Sequence, residues 1–223
     1  VITGGSSGIG LASAKALIQQ GHTVVIGSRR CNTKEASPIQ NSLSKKVIFY
    51  QLDVSDQKSV ASFTNQIEKE FGHAEILINA AGIYEEAQIV DGDTSHWHNQ
   101  IDINLTGPFL MTQALMPGMI KQKFGRIINI ASTAGRVGEA GYSGYCASKA
   151  GLIALSKVTA IEGAPHNISC ISISPTWVET PMMDNAIVRH SKNRNISKSN
   201  AKKALKSSNP QGRLVQPEEI ASL

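Results

Sequence analysis

The 223-residue sequence predicts a single α/β domain built on a doubly wound parallel sheet. Three observations predict it. Short runs rich in β-branched residues recur along the chain, and intervals of helix length separate them. The runs are apolar at consecutive positions rather than alternate ones, which requires helices on both faces of the sheet.

The elements follow in order. Val1-Ile2-Thr3 reads as the first strand, and residues 8–20 as the helix after it. "TVVIGS" (23–28) and "KVIFYQLDV" (46–54) are the second and third strands, with a helix over 56–71. "EILINAAG" (75–82) precedes a helix over 97–121, which Pro117 is expected to kink or end. "GRIINIAS" (125–132), a helix over 143–164, "NISCISISP" (167–175) and a helix from Pro217 complete the series. The polar stretch 190–212 is expected to be mobile, and residues 184–213 form either a substrate lid or a loose surface helix. Both ends read as cut, because Val1 is not an initiator methionine and "PEEIASL" stops within a helix. A targeting peptide upstream would lie outside the sequence.

Composition narrows the classes. With 41% hydrophobic residues the chain can bury a sizeable core, yet no apolar stretch approaches the roughly 20 residues of a membrane span. Cys31, Cys146 and Cys170 are odd in number and lack C-x-x-C spacing, so a soluble protein of the reducing cytoplasm is expected, without disulfides or zinc. The net charge of +5 is uneven, with eight Lys or Arg and no acid between Asp184 and Glu218. Those charges either attract an acidic partner or form an ordinary solvated surface. Without interleaved aromatics they do not suggest nucleic acid.

The stretch "TGGSSGIG" at residues 3–10 admits two functional readings. Gly4-Gly5-Ser6-Ser7-Gly8 satisfies G-x-S-x-G, the nucleophile elbow of a serine hydrolase, with Ser6 as nucleophile. Such an elbow normally follows several strands, and it gives Gly10 no role. As a phosphate cradle, Gly4 permits the turn, Gly8 the approach of a pyrophosphate, and Gly10 close packing of helix on sheet. The helix N–H groups, carrying roughly half a positive charge, then face the phosphates. A glycine-rich turn without a ligand is the third possibility.

Further along, Tyr145 and Lys149 are four residues apart and share one face of a helix. Forming a phenolate at pH 7 costs an ordinary tyrosine about 4 kcal/mol, and a neighbouring ammonium reduces that cost. Alone, such a pair is commonly a surface feature. Tyr142 reads as a substrate contact or as an exposed aromatic at a helix start, and His96 and His98 as solvated. Where dinucleotide folds carry the acid that binds the NAD ribose, this chain has Ser28 followed by Arg29 and Arg30. Cations there suit the 2′-phosphate of NADP.

T-G-x-x-x-G-I-G, with three later motifs, resembles the short-chain dehydrogenase/reductase family across essentially the whole chain. The motifs are "NAAG" at 79–82, "INL" around Asn104, and Ser132 ahead of Tyr145 in "YCASK". The resemblance implies a Rossmann fold and a nicotinamide-dependent oxidoreductase that needs no metal. It implies that Tyr145 is the general acid/base, that Lys149 lowers its pKa and holds the nicotinamide ribose, and that Ser132 holds the substrate oxygen. Asn104 would support a water linking Lys149 to solvent. Cofactor contacts are implied for Gly4, Ser6, Ser7, Gly8, Ile9 and Gly10, and for Ser28, Arg29, Asp53 and Val54. Asn79, Ala80, Gly82, Tyr145, Lys149, Pro175, Val178 and Thr180 complete the implied set. The family usually has Pro-Gly where this chain has Pro175-Thr176, which puts the path of that loop in question.

"ASKAGLIALSK" and "VETPM" look most like ketoreductases of the 3-oxoacyl thioester and polyketide type. The expectation is an NADPH-dependent reductase of a ketone or acyl-thioester, served by an acidic acyl carrier and assembled as a homodimer or homotetramer. The contacts would run through the helices at 97–121 and 143–164. An NAD-dependent alcohol or 3-hydroxybutyrate-type dehydrogenase is the alternative within the family. A serine hydrolase using Ser6 and a non-catalytic dinucleotide-binding protein are the alternatives outside it. By the resemblance a further strand would follow the last helix, so the chain is expected to be a fragment.

Overall fold

The computed structural model describes residues 1–29, 47–90 and 92–223. Arg30 and Cys31 therefore lie outside the described residues. Six parallel strands form one sheet in the order β3-β2-β1-β4-β5-β6. They are β1 (Ile2–Thr3), β2 (Val24–Ser28), β3 (Val47–Gln51), β4 (Ile76–Asn79), β5 (Gly125–Ile130) and β6 (Ile168–Ile173). Ile2 is in register with Ile26 on one side and Ile78 on the other, so the two-residue β1 sits at the centre. The winding reverses between β1 and β4, and a crevice opens there at the carboxyl ends of the strands.

Alternate strand residues feed two cores. Val25, Leu77 and Ile127 pack with Phe63 and Ile67 of α2 (Gln57–Phe71) and with Met111, Leu115 and Met119 of α4 (Gly107–Gln122). On the opposite face Ile2, Ile26 and Ile78 pack with Ala14 of α1 (Gly8–Gln19) and Ile220 of α8 (Pro217–Ala221). The double covering is what consecutive apolar strand positions demand. α5 (Ser143–Gly163) packs against β6 and carries the Tyr145–Lys149 pair.

The helix expected over 97–121 is built in three parts. α3 (Thr94–Ile101) is N-capped by Asp93, whose carboxylate accepts the Ser95 N–H at 2.8 Å, and a π-helical turn at Asp102–Thr106 joins it to α4. Pro117 does not end α4. Leu115 and Met119 are buried on either side of it, and their packing outweighs one lost backbone hydrogen bond.

Residues 184–213 lie largely in two helices. α6 (Pro181–Asn193) is capped by Thr180 and α7 (Lys198–Ser208) by Ser197. Met183, Ala186 and Ile187 of α6 meet Ala201 and Leu205 of α7 in a third apolar cluster with Tyr84, Tyr142 and Leu214. Two spacings of three or four residues suffice to fix a helix when the partner surface exists. Arg213 then holds Glu219 through two 2.6 Å bonds beside the capping box of α8. Among the described residues no helix is long and apolar enough to cross a membrane.

Candidate active site

The crevice is a cavity of about 430 Å³, with the turn between β1 and α1 forming its floor. Gly4 and Gly8 both have positive φ, +67° and +52°. A Cβ on Gly10 would lie 2.6 Å from the Gly4 carbonyl oxygen, so only glycine lets α1 start this close to the turn. Ser7 occupies the N-cap without a side-chain bond, and no acid stands in the first turn. The N–H groups at that end of α1 are thus left without a side-chain acceptor, and Gly4, Ser6, Ser7, Gly8, Ile9 and Gly10 line the space they face. That arrangement fits a dinucleotide pyrophosphate.

The walls come from neighbouring strand ends. Ser28 lines the cavity, its hydroxyl 3.0 Å from that of Ser6. Arg29 also lines it, exposed beside Asp53. Burial raises the Asp53 pKa, but hydrogen bonds from the Ser55 hydroxyl and amide, with the Arg29 charge, leave it below the usual carboxylate value. Val54, Ala80 and Gly82 follow along the wall. Asn79 does not line the cavity. It is 2% exposed, and its amide donates to Asn129 Oδ1 at 2.8 Å, which ties β4 to β5 behind the wall.

Pro175, Val178 and Thr180 line the opposite rim. The Pro175 carbonyl accepts the Thr133 N–H at 3.0 Å, and Val178 bridges to Val215. Thr176 is not among the described residues with positive φ, so this loop forms without the freedom of a glycine.

Three of the four candidate catalytic side chains converge at the reacting end. Ser132 caps a short 3-10 turn, accepting the Ala134 N–H at 3.1 Å, and also hydrogen-bonds the Tyr145 phenol. A Cβ on Gly135 would lie 2.7 Å from the Lys149 backbone, and this close approach seats Ser132 over α5. Lys149 is 5% exposed, donates to the Ile130 carbonyl at 2.8 Å, and sits 5.7 Å from the centre of the Tyr145 ring. Burial pulls its pKa down to about 8. Burial pushes the Tyr145 pKa up, and the Ser132 hydrogen bond opposes this only partly. The phenol is therefore protonated at neutral pH.

Asn104 stands behind them, fully buried and outside the cavity lining. Its Oδ1 accepts the Ile83 N–H at 2.8 Å, and its Nδ2 donates to the Ile83 carbonyl at 2.9 Å and to Ser148 at 3.2 Å. It sits in the π-helical turn and fixes the loop that follows β4. A Cβ on Gly82 would meet both Asn104 Oδ1, at 3.2 Å, and the Lys149 amine, at 3.6 Å.

Sequence reasoning missed part of the site. Tyr84 and Trp177 line the cavity, and Tyr142, read as either a substrate contact or an exposed aromatic, is 4% exposed and lines it too. Tyr84 meets Tyr142, Tyr145 and Trp177 edge-on, with ring centres 5.1, 5.4 and 6.0 Å apart. Arg189 donates to the Tyr84 carbonyl at 2.7 Å, and the Asn209 side chain bonds both backbone groups of Trp177. For Tyr84 the signal in the sequence was an aromatic directly after "NAAGI".

Among the described residues no histidine lines the cavity, so Ser6 has no triad partner. Comparisons with known proteins agree with the cradle reading. A family model described as short chain dehydrogenase matches residues 1–190. A D-beta-hydroxybutyrate dehydrogenase of Cupriavidus necator is 36% identical over 225 residues, covering 100% of this chain and 87% of that protein. A 3-oxoacyl-(acyl-carrier-protein) reductase of Thermotoga maritima is 34% identical over 224 residues, with 100% and 87% covered. A variant of actinorhodin polyketide ketoreductase, solved with NADPH, superposes with a TM-score of 0.93 at 29% identity, covering 99% of this chain and 86% of that one. The chain belongs to the short-chain dehydrogenase/reductase family and is an oxidoreductase acting on a ketone or its alcohol.

Proposed function

We propose that this oxidoreductase uses NADPH to reduce the ketone of a 3-oxoacyl-type substrate to a secondary alcohol. The observation that carries the reading is the convergence of Ser132, Tyr145 and Lys149 at one end of a dinucleotide cradle, with the phenol held protonated. When bound, the nicotinamide supplies the hydride. Gly4 to Gly10 would hold the pyrophosphate, Arg29 the 2′-phosphate, and Lys149 the ribose. Ser132 orients the carbonyl oxygen, and Tyr145 gives that oxygen its proton. The Lys149 ammonium stabilises the phenolate that remains, and Asn104 keeps the wall behind it in place.

The name of the Cupriavidus relative favours a second reading, an NAD-dependent hydroxy-acid dehydrogenase. Fluorescence titration with NADPH and NADH, on wild type and Tyr145→Phe, tests both. Tight NADPH and weak NADH, unaffected by Tyr145→Phe, are expected. Reduction of a 3-oxoacyl thioester should fall by at least about 100-fold in that variant. NADH binding as tight as NADPH would favour the second reading.

The basic face of α6 and α7 supports an acidic acyl carrier as substrate donor. Among its charges Lys202 is paired, with Glu179 at 3.2 Å. Free thiols at Cys146 and Cys170 are consistent with a cytoplasmic setting. Exposed apolar side chains on α4 and α5, among them Phe109, Val158 and Ile161, support a homodimer or homotetramer.

A further inference from the structure

The substrate half of the crevice is walled by aromatic and apolar groups. Tyr84, Tyr142 and Trp177 stand around Tyr145, and Met183 closes the wall at 2% exposure. Tyr84 and Tyr142 meet edge-on at 5.1 Å, so the wall presents mainly ring surface. Among the described residues the cations lining the cavity are Lys149 and Arg29. Lys149 is committed to the Ile130 carbonyl beside the phenol. Arg29 directly follows β2, three strand spacings or about 14 Å across the sheet from β5. The charge that does line the substrate half is negative. Glu139 lies on the cavity wall, and the charges of Glu139 and Glu86 push the Tyr142 pKa up while that of Arg194 pushes it down. Arg189 is held by the Tyr84 carbonyl.

A free carboxylate entering this end would lose its hydration without gaining a cation and would face Glu139. An ester, thioester or aryl group would instead lie against ring surfaces. We propose that Tyr84, Tyr142 and Trp177 are specificity-determining residues that select an uncharged ketone with an apolar or aromatic arm and reject free keto acids. The inference rests on the ketone-reductase reading and narrows it, and it separates this chain from an enzyme of small hydroxy acids.

The test compares NADPH-dependent reduction of ethyl acetoacetate, ethyl benzoylacetate and acetoacetate by wild type at pH 7. The esters are expected to exceed the free acid in kcat/KM by at least about 100-fold, the aryl ester being at least as good as the alkyl. In Trp177→Leu the aryl ester should lose about 10-fold, mainly through KM, and the alkyl ester less. Equal or better turnover of acetoacetate overturns the proposal, as does a Trp177→Leu protein that is folded and keeps the wild-type preference. If cofactor binds and none of the three is reduced, the reductase reading fails. The wall is then judged by binding alone. In Trp97→Phe, Trp177 is the sole tryptophan. Quenching of its fluorescence by ethyl benzoylacetate at concentrations at least about 10-fold below acetoacetate supports the selection, and equal quenching overturns it.

Discussion

Lys149 is a buried cation with a neutral carbonyl as its partner, and its energetics can be measured. Its pKa falls from 10.5 to about 8 on folding. Between those values the unfolded chain binds more protons than the native one, so this group makes stability rise with pH across the window. Below pH 8 the full penalty, on the order of 3 kcal/mol, is present. Lys149→Met should therefore be more stable than wild type in urea at pH 7, and the gap should close by pH 10. The same variant should lose reduction activity by about 100-fold or more, and the wild-type rate should decline above pH 8 as the ammonium is lost. Arg29→Asp should weaken NADPH by about 10- to 100-fold in titration, the size of one charge-assisted contact, and leave NADH nearly unchanged. The residue chemistry was legible in sequence because it rests on short fixed spacings, such as Tyr145 to Lys149. The net rise of the Tyr145 pKa was not, because burial by sequence-distant groups decides it. The place of Asn79 behind the wall was hidden for a similar reason: a partner fifty residues away occupies its amide.

At the level of elements, the sequence disclosed what periodicity can encode. The six strands and the helices after β1, β3 and β5 stand where their apolar patterns place them. The π-helical turn was invisible, because a segment of five residues is too short for a period to be read from it. That turn delivers Asn104 to both polar backbone groups of Ile83. Asn104→Ala would leave an N–H and a C=O buried without partners, at about 1–3 kcal/mol each. A lower melting temperature with NADPH affinity largely retained is the expected result. The packing of α6 and α7 was not legible because their apolar residues are few, and the surface those residues need is assembled from Tyr84, Tyr142 and Leu214. No local window contains that surface.

For the molecule as a whole, the apolar faces left on α4 and α5 bear on assembly. Ile161 is 75% exposed and Val158 51%, on a helix whose other side is buried. Light scattering should report a dimer or tetramer, and Ile161→Glu should shift it toward monomer by placing a charge in the contact. The position of β1 has a consequence for biosynthesis. This strand leaves the ribosome well before β4, yet the neighbours that complete its hydrogen bonding include β4, whose Ile78 pairs with Ile2. A nascent chain that has not yet released β4 has no crevice, however well its first helix has formed. Ligand capture is therefore a late event that recognises only chains whose topology has closed, and by mass action it draws the population toward them.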